Sequence, residues 1–232
     1  MQDARQWEGI SPELNDTNIL LVRHTDVHNP DQIFYGRLPR FRLSNDGEAQ
    51  AEATAEYLAN LHPTAIYSSP MLRARQTAKV IATRHPGLRV RVARALIEVG
   101  TTWQGTPWTV IGADANLYEP LKAPGDETMD AIADRMEAFI HRLRRRHAGE
   151  TVVCVSHADP VMIARVRLQG IALSMRAIRA ADYPERGSVT RLRFGDDGSL
   201  EVSYSSPAQS LIKPAQAAKR EAPAEASGEA AK

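Results

Sequence analysis

Two apolar runs that each end on a polar residue followed by histidine decide the fold of this chain: Ile19-Leu20-Leu21-Val22-Arg23-His24 and Val152-Val153-Cys154-Val155-Ser156-His157. A short, unbroken apolar run marks a strand covered on both faces, as in a parallel sheet between two helical layers. In open sheets of that kind ligands bind just beyond the carboxyl ends of the strands. Both histidines therefore fall at the place where a site is expected, each on its own strand.

Working outward, strand-like runs alternate with helix-like ones, which argues for βαβ units and an α/β fold. Ser44-Asn45-Asp46-Gly47 offers cap residues to an alanine-rich helix running to about Leu61. Ala65 to Ser68 reads as a second strand. Ser69-Pro70 then places a capping hydroxyl before a proline, as at the start of a helix reaching about Arg84. Val90 to Ala93 is a weaker strand, followed by a loop from Gly100 to about Thr106. The clearest helix spans about Thr128 to His147, because Met129, Ile132, Met136, Phe139, Ile140 and Leu143 recur on one face. Arg142, Arg144, Arg145 and Arg146 sit at its end, where the helix dipole favours cations, which is sufficient reason for the cluster without nucleic acid. Asp159-Pro160 supplies a cap and a first-turn proline after the second histidine. Val189 to Phe194 and Leu200 to Tyr204 flank a Gly195–Gly198 turn and read as a terminal hairpin at the sheet edge.

Composition narrows the class. The 232 residues fit one domain that buries roughly 70 to 75% of its unfolded surface. Residues 1–17 read as a polar arm, 18–206 as the single folded domain, and 207–232 as an Ala-, Pro-, Glu- and Lys-rich tail expected to be disordered. With 29 basic against 28 acidic side chains, no global field draws the chain to nucleic acid or anionic membrane. The one cysteine, Cys154, excludes a disulfide framework and reads as core filling. No stretch has the length of a signal core or a membrane span, so a cytoplasmic location is expected. The edge strand or an apolar loop offers a surface for a homodimer.

Polar residues suited to phosphate chemistry collect at the expected strand ends: Arg23 and His24, then Ser68, Ser69 and Arg73, then Glu98, then Ser156 and His157. The arginine fork matches phosphate oxygens. At an effective dielectric of about 20, one charge pair at about 4 Å is worth about 4 kcal/mol before desolvation. Stabilising charge on the equatorial oxygens is most of what phosphoryl transfer requires. His24 and His28 lie four apart, but that spacing makes a metal pair only on a helix, and Arg23 repels a cation. His62, His85, His141 and His147 read as surface residues, as do Arg75 and Arg84.

These residues resemble the histidine phosphatase superfamily, which includes the phosphoglycerate mutases. Leu21 to Asp26 is similar to its Arg-His-Gly signature, Ser69 through Arg73 to Ala78 to its second arginine motif, and Val155-Ser156-His157 to its second histidine motif. Glu98 with Gly100 and Trp103-Gln104-Gly105 resembles the acid-bearing loop. Gly36-Arg37, the Leu43-Ser44 to Ala51 helix entry and Pro124 to Thr128 also match, so the resemblance covers about residues 19 to 205 in the family's order.

The resemblance implies a phosphoglycerate mutase-like fold, a three-layer α/β/α sandwich with a mostly parallel central sheet. It implies a metal-independent phosphatase without a cofactor, acting on a small phosphorylated molecule through phospho-His24. Glu98 would be the general acid and base, and Arg23, Arg73, a protonated His157 and Asn29 would hold the phosphate. Tyr35 and Gly36 would lie on the substrate side, where Phe34, Phe41, Trp103, Trp108 and Tyr118 would form either an apolar lid or core. Four departures stand out: Thr25 replaces the family's glycine, Asn29 lies one position early, Tyr35 stands where phosphatases often carry glutamine, and the loop after Glu98 is about one residue short. Cofactor-dependent mutases carry a longer basic insertion between the acid and the Pro-Gly segment, so hydrolysis is expected. Mutase-type transfer, a phosphohistidine-protein phosphatase and a phosphate-binding module without turnover remain as alternatives.

Overall fold

The computed structural model describes residues 16–112, 115–179 and 182–212. Most of the polar arm and of the C-terminal tail, residues 1–15 and 213–232, therefore lies outside the described residues.

In chain order, strand β1 (Thr17–Arg23) is followed by helix α1 (Asn45–Leu58), β2 (Ala65–Ser68), α2 (Leu72–Thr83) and β3 (Val90–Val92). Next come the short α3 (Trp108–Ile111), α4 (Met129–Arg146), β4 (Thr151–Ser156), α5 (Ala158–Leu168), the short α6 (Met175–Ile178), β5 (Val189–Phe194) and β6 (Leu200–Ser205). The sheet order is β3-β2-β4-β1-β5-β6. The first four strands in that order are mutually parallel, while β5 runs antiparallel to β1 and to β6.

The apolar run in β1 explains the layers. Strand side chains alternate, so Ile19 and Leu21 join Val152 and Cys154 against Ile132, Met136 and Ile140 of α4 and Val161 of α5. Leu20 and Val22 join Val153 and Val155 on the opposite face, against Ala55 and Leu58 of α1 and Ala74, Ala78 and Ile81 of α2. Each such fully buried aliphatic side chain contributes about 1.5–3 kcal/mol. A strand with no polar side requires cover on both sides, and the two helical layers supply it.

Two helix starts differ from the sequence expectation. Helix α2 begins at Leu72 with Met71 at the cap position, because the Ser69 hydroxyl is engaged elsewhere: it accepts from Met71 N at 3.3 Å and contacts His157 at 2.7 Å. Helix α5 begins at Ala158, so Asp159 is already helical and Pro160 stays in the first turn, where its missing N–H costs nothing. His85 and His147 are buried rather than superficial. The His147 ring is held between Glu150 at 2.6 Å and the Tyr67 hydroxyl at 3.2 Å. Among the described residues no helix is long and apolar enough to cross a membrane.

Candidate active site

Parallel strands put their carboxyl ends at one edge, and the register aligns them. Arg23 pairs with Ser156, and Ser68 pairs with Val155. The residues that follow, His24, Ser69 and His157, thus emerge side by side, and the two imidazoles meet edge to face with centroids 5.1 Å apart. Arg73 rises into the same space from the first turn of α2, and Glu98 enters from the loop after β3.

Arg73 is the hub. Its side chain is fully buried. Nε donates to His24 Nε2 at 3.1 Å; one terminal nitrogen lies 2.8 Å from the Gly36 carbonyl, 3.1 Å from His157 Nδ1 and 3.5 Å from Glu98 Oε2. Because guanidinium only donates, these contacts fix the tautomers. His24 Nδ1 carries the proton and donates to the Thr25 carbonyl at 2.8 Å, leaving Nε2 as the free base. His157 accepts at Nδ1 and donates from Nε2 to Ser69 Oγ.

Burial and then Arg73 hold both imidazoles well below the ordinary histidine value. The protonated His157 expected from sequence is disfavoured in this setting, because burial and then Arg73 both act against a second cation there. Burial pushes Glu98 above the usual carboxylate range, with Arg73 opposing. Oε1 accepts from Val99 N at 2.9 Å, and Oε2 lies 3.4 Å from the His157 acceptor Nδ1. Burial thus favours the carboxyl form, and His157 Nδ1 stands beside Oε2 as an acceptor.

Arg23 completes the ring. One terminal nitrogen donates to the Pro184 carbonyl at 2.7 Å, its guanidinium lies 5.9 Å from the Tyr183 ring centroid, and its Nε is buried without a partner among the described residues. A native buried donor left unpaired calls for a partner. His24, Glu98 and His157 bring possible metal-ligand atoms within 4.8 Å of one another. Arg73 contacts all three, and Arg23 is close by, so this set fits an oxyanion and not a cation.

The remaining sequence candidates separate. Tyr35 stacks on Arg73, 4.6 Å from guanidinium carbon to ring centroid, and shields it from solvent. Gly36 adopts φ +40°, and a Cβ there would meet Gln104 Cβ at 3.0 Å; glycine is what lets its carbonyl reach Arg73. Asn29 uses its amide on Ile33, donating to the carbonyl at 2.8 Å and accepting from the N–H at 3.3 Å. Phe34 and Tyr118 are buried, whereas Trp103 and Trp108 are half-buried. Thr25 turns its side chain away from the imidazoles towards Thr77, 3.3 Å between hydroxyls.

A second ring forms around residues that the sequence matched without giving them a role, Arg37 and Glu127, and one it did not single out, Arg135. Glu127 binds Arg37 at 2.6 Å, Arg135 at 2.9 and 3.1 Å and Gly100 N at 3.1 Å. Arg37 and Arg135 in turn grip the Glu98 carbonyl at 2.8 and 3.5 Å. Glu98 is thereby positioned through its own backbone. Nothing in local spacing distinguishes Arg135 from the other arginines of α4.

Known proteins resemble this chain over most of its length. The model of the histidine phosphatase superfamily (branch 1) matches residues 19–223. An uncharacterized protein of Mycobacterium tuberculosis is 40% identical over 83% of this chain and 98% of its own length. Phosphoserine phosphatase 1 of Hydrogenobacter thermophilus is 32% identical over 67% of this chain and 78% of its own. Among solved structures, mycobacterial glucosyl-3-phosphoglycerate phosphatase superposes with a TM-score of 0.68 at 26% identity, covering 82% of this chain and 98% of that one. The expected fold, a mostly parallel sheet between helices as in the phosphoglycerate mutases, is borne out by these neighbours. The chain belongs to branch 1 of the histidine phosphatase superfamily.

Proposed function

We propose that this protein hydrolyses phosphomonoesters by way of a phosphohistidine on His24, without a metal ion. The observation that carries the proposal is the Arg73 guanidinium, which spans His24, Glu98 and His157, together with an Arg23 Nε that is buried without a partner among the described residues.

Substrate phosphate takes Arg73 Nε away from His24 Nε2 and so frees the nucleophile's lone pair. Arg23, Arg73 and the two imidazoles then surround the phosphoryl oxygens, supplying the charge that phosphoryl transfer needs. His24 Nε2 attacks phosphorus as the bond to the leaving oxygen breaks, and the Thr25 carbonyl stabilises the proton left on Nδ1. Glu98 gives its proton to the leaving oxygen. As carboxylate it then accepts a proton from water, which displaces phosphate from His24. Activity falls on the alkaline side as Glu98 ionises, and on the acid side only well below the ordinary histidine value, where His24 is protonated.

The phosphatases among the relatives support hydrolysis of a small phosphorylated molecule. Only a short segment separates Glu98 from Pro124 in this chain, which favours water over a second acceptor molecule.

Leaving-group chemistry tests the acid. Glu98→Gln is expected to slow β-glycerophosphate hydrolysis by about 10²–10³-fold. For p-nitrophenyl phosphate, whose leaving group needs no proton, the loss at the phosphorylation step should be far smaller. Phosphate release in excess chelator, with single-turnover measurement of phosphorylation, reads both. Equal losses with the two esters would contradict a proton donor at this position.

A further inference from the structure

Asp159 stands in the first turn of α5, two residues beyond the His157 that touches Glu98, and the proposed reaction gives it no task. Its carboxylate is clamped by two phenols from distant segments. Tyr118 donates to Oδ2 at 2.6 Å, and Tyr183 donates to Oδ1. Burial first, then the charge of Asp159, push both phenols well above their ordinary value, so they remain donors. Tyr183 also lies against Arg23, and its neighbour Pro184 accepts the Arg23 hydrogen bond. A single carboxylate therefore ties the start of α5 to the segment that aims Arg23.

We propose that Asp159 is a positioning residue at this site: by holding the Tyr183 phenol it fixes the segment whose Pro184 carbonyl and Tyr183 ring set the aim of Arg23. The proposal rests on Arg23 holding the phosphate.

The test is kcat for β-glycerophosphate, with inhibition by inorganic phosphate, in the wild type, Asp159→Ala, Asp159→Asn, Tyr183→Phe and Arg23→Ala. Asp159→Ala and Tyr183→Phe each break the bond that anchors Tyr183, and each should weaken phosphate inhibition about threefold to tenfold through a misaimed Arg23. Asp159→Asn keeps an acceptor for the phenol and should retain most of the inhibition. A merely structural role would lower the rate of these variants without moving the phosphate inhibition. Unchanged phosphate inhibition in Tyr183→Phe overturns the proposal, and this variant also decides the matter if Asp159→Ala fails to fold. Phosphate inhibition that survives Arg23→Ala overturns Arg23 as a phosphate ligand and the aiming effect together.

Discussion

Replacing His24 with alanine is expected to lower kcat for phosphomonoester hydrolysis by about 10⁴-fold, roughly 5.5 kcal/mol of barrier, while phosphate still binds. The proposed nucleophile, His24, is favoured in its neutral form because burial and then the neighbouring Arg73 and Arg23 oppose its protonation. It is aimed because Nδ1–H is fixed on the Thr25 carbonyl, which leaves the lone pair of Nε2 on the pocket side, where Arg73 meets it. Alanine removes that lone pair but leaves Arg23, Arg73 and His157 to hold the oxyanion. The loss therefore falls on kcat, and competitive inhibition by inorganic phosphate should change by less than about tenfold. Steady-state phosphate release with wild-type and variant protein measures both quantities. A fall in kcat below tenfold would place the nucleophile elsewhere.

Arg73→Lys, which conserves charge, should lower kcat/KM by about 10²–10³-fold, about 2.7–4 kcal/mol. Arg73 donates from Nε to His24 while a terminal nitrogen lies against the Gly36 carbonyl, His157 and Glu98. Those contacts diverge from the two ends of a rigid plane. A lysine ammonium is one point on a flexible stem and cannot meet both ends together. The stacking of Tyr35 on the guanidinium face is lost as well. Both kcat and the phosphate inhibition constant should worsen, unlike the His24→Ala pattern, because Arg73 serves binding and transition state alike. Near-wild-type kcat/KM in this variant would mean that charge alone matters there.

The strand ends carried most of the legible information. Ile19 to Val22 and Val152 to Val155 lack a polar side, so a buried parallel pair was readable, and with it the convergence of His24 and His157. The periodic face of α4 was equally plain. What escaped depends on distant partners. Ser69 and Asp159 look like helix caps locally, yet His157 claims the first and two tyrosines claim the second. His85 and His147 sit in polar sequence, but tertiary packing buries them. For His157, local sequence shows the charges beside it and not the loss of solvent, which is the larger influence holding its imidazole below the ordinary value. Glu127 belonged to a recognisable motif. Its grip on Arg37 and Arg135 exists only after three separate segments meet.

The central claim is a covalent bond between phosphorus and Nε2 of His24. Mixing the protein with a radiolabelled phosphomonoester, quenching within the first turnovers in alkali and denaturant, and mapping the labelled peptide tests it directly. The account predicts label on His24 that is stable to alkali, lost in acid and absent from His24→Ala. Rapid phosphate release under the same conditions, with no label on the protein at any quench time, would contradict it.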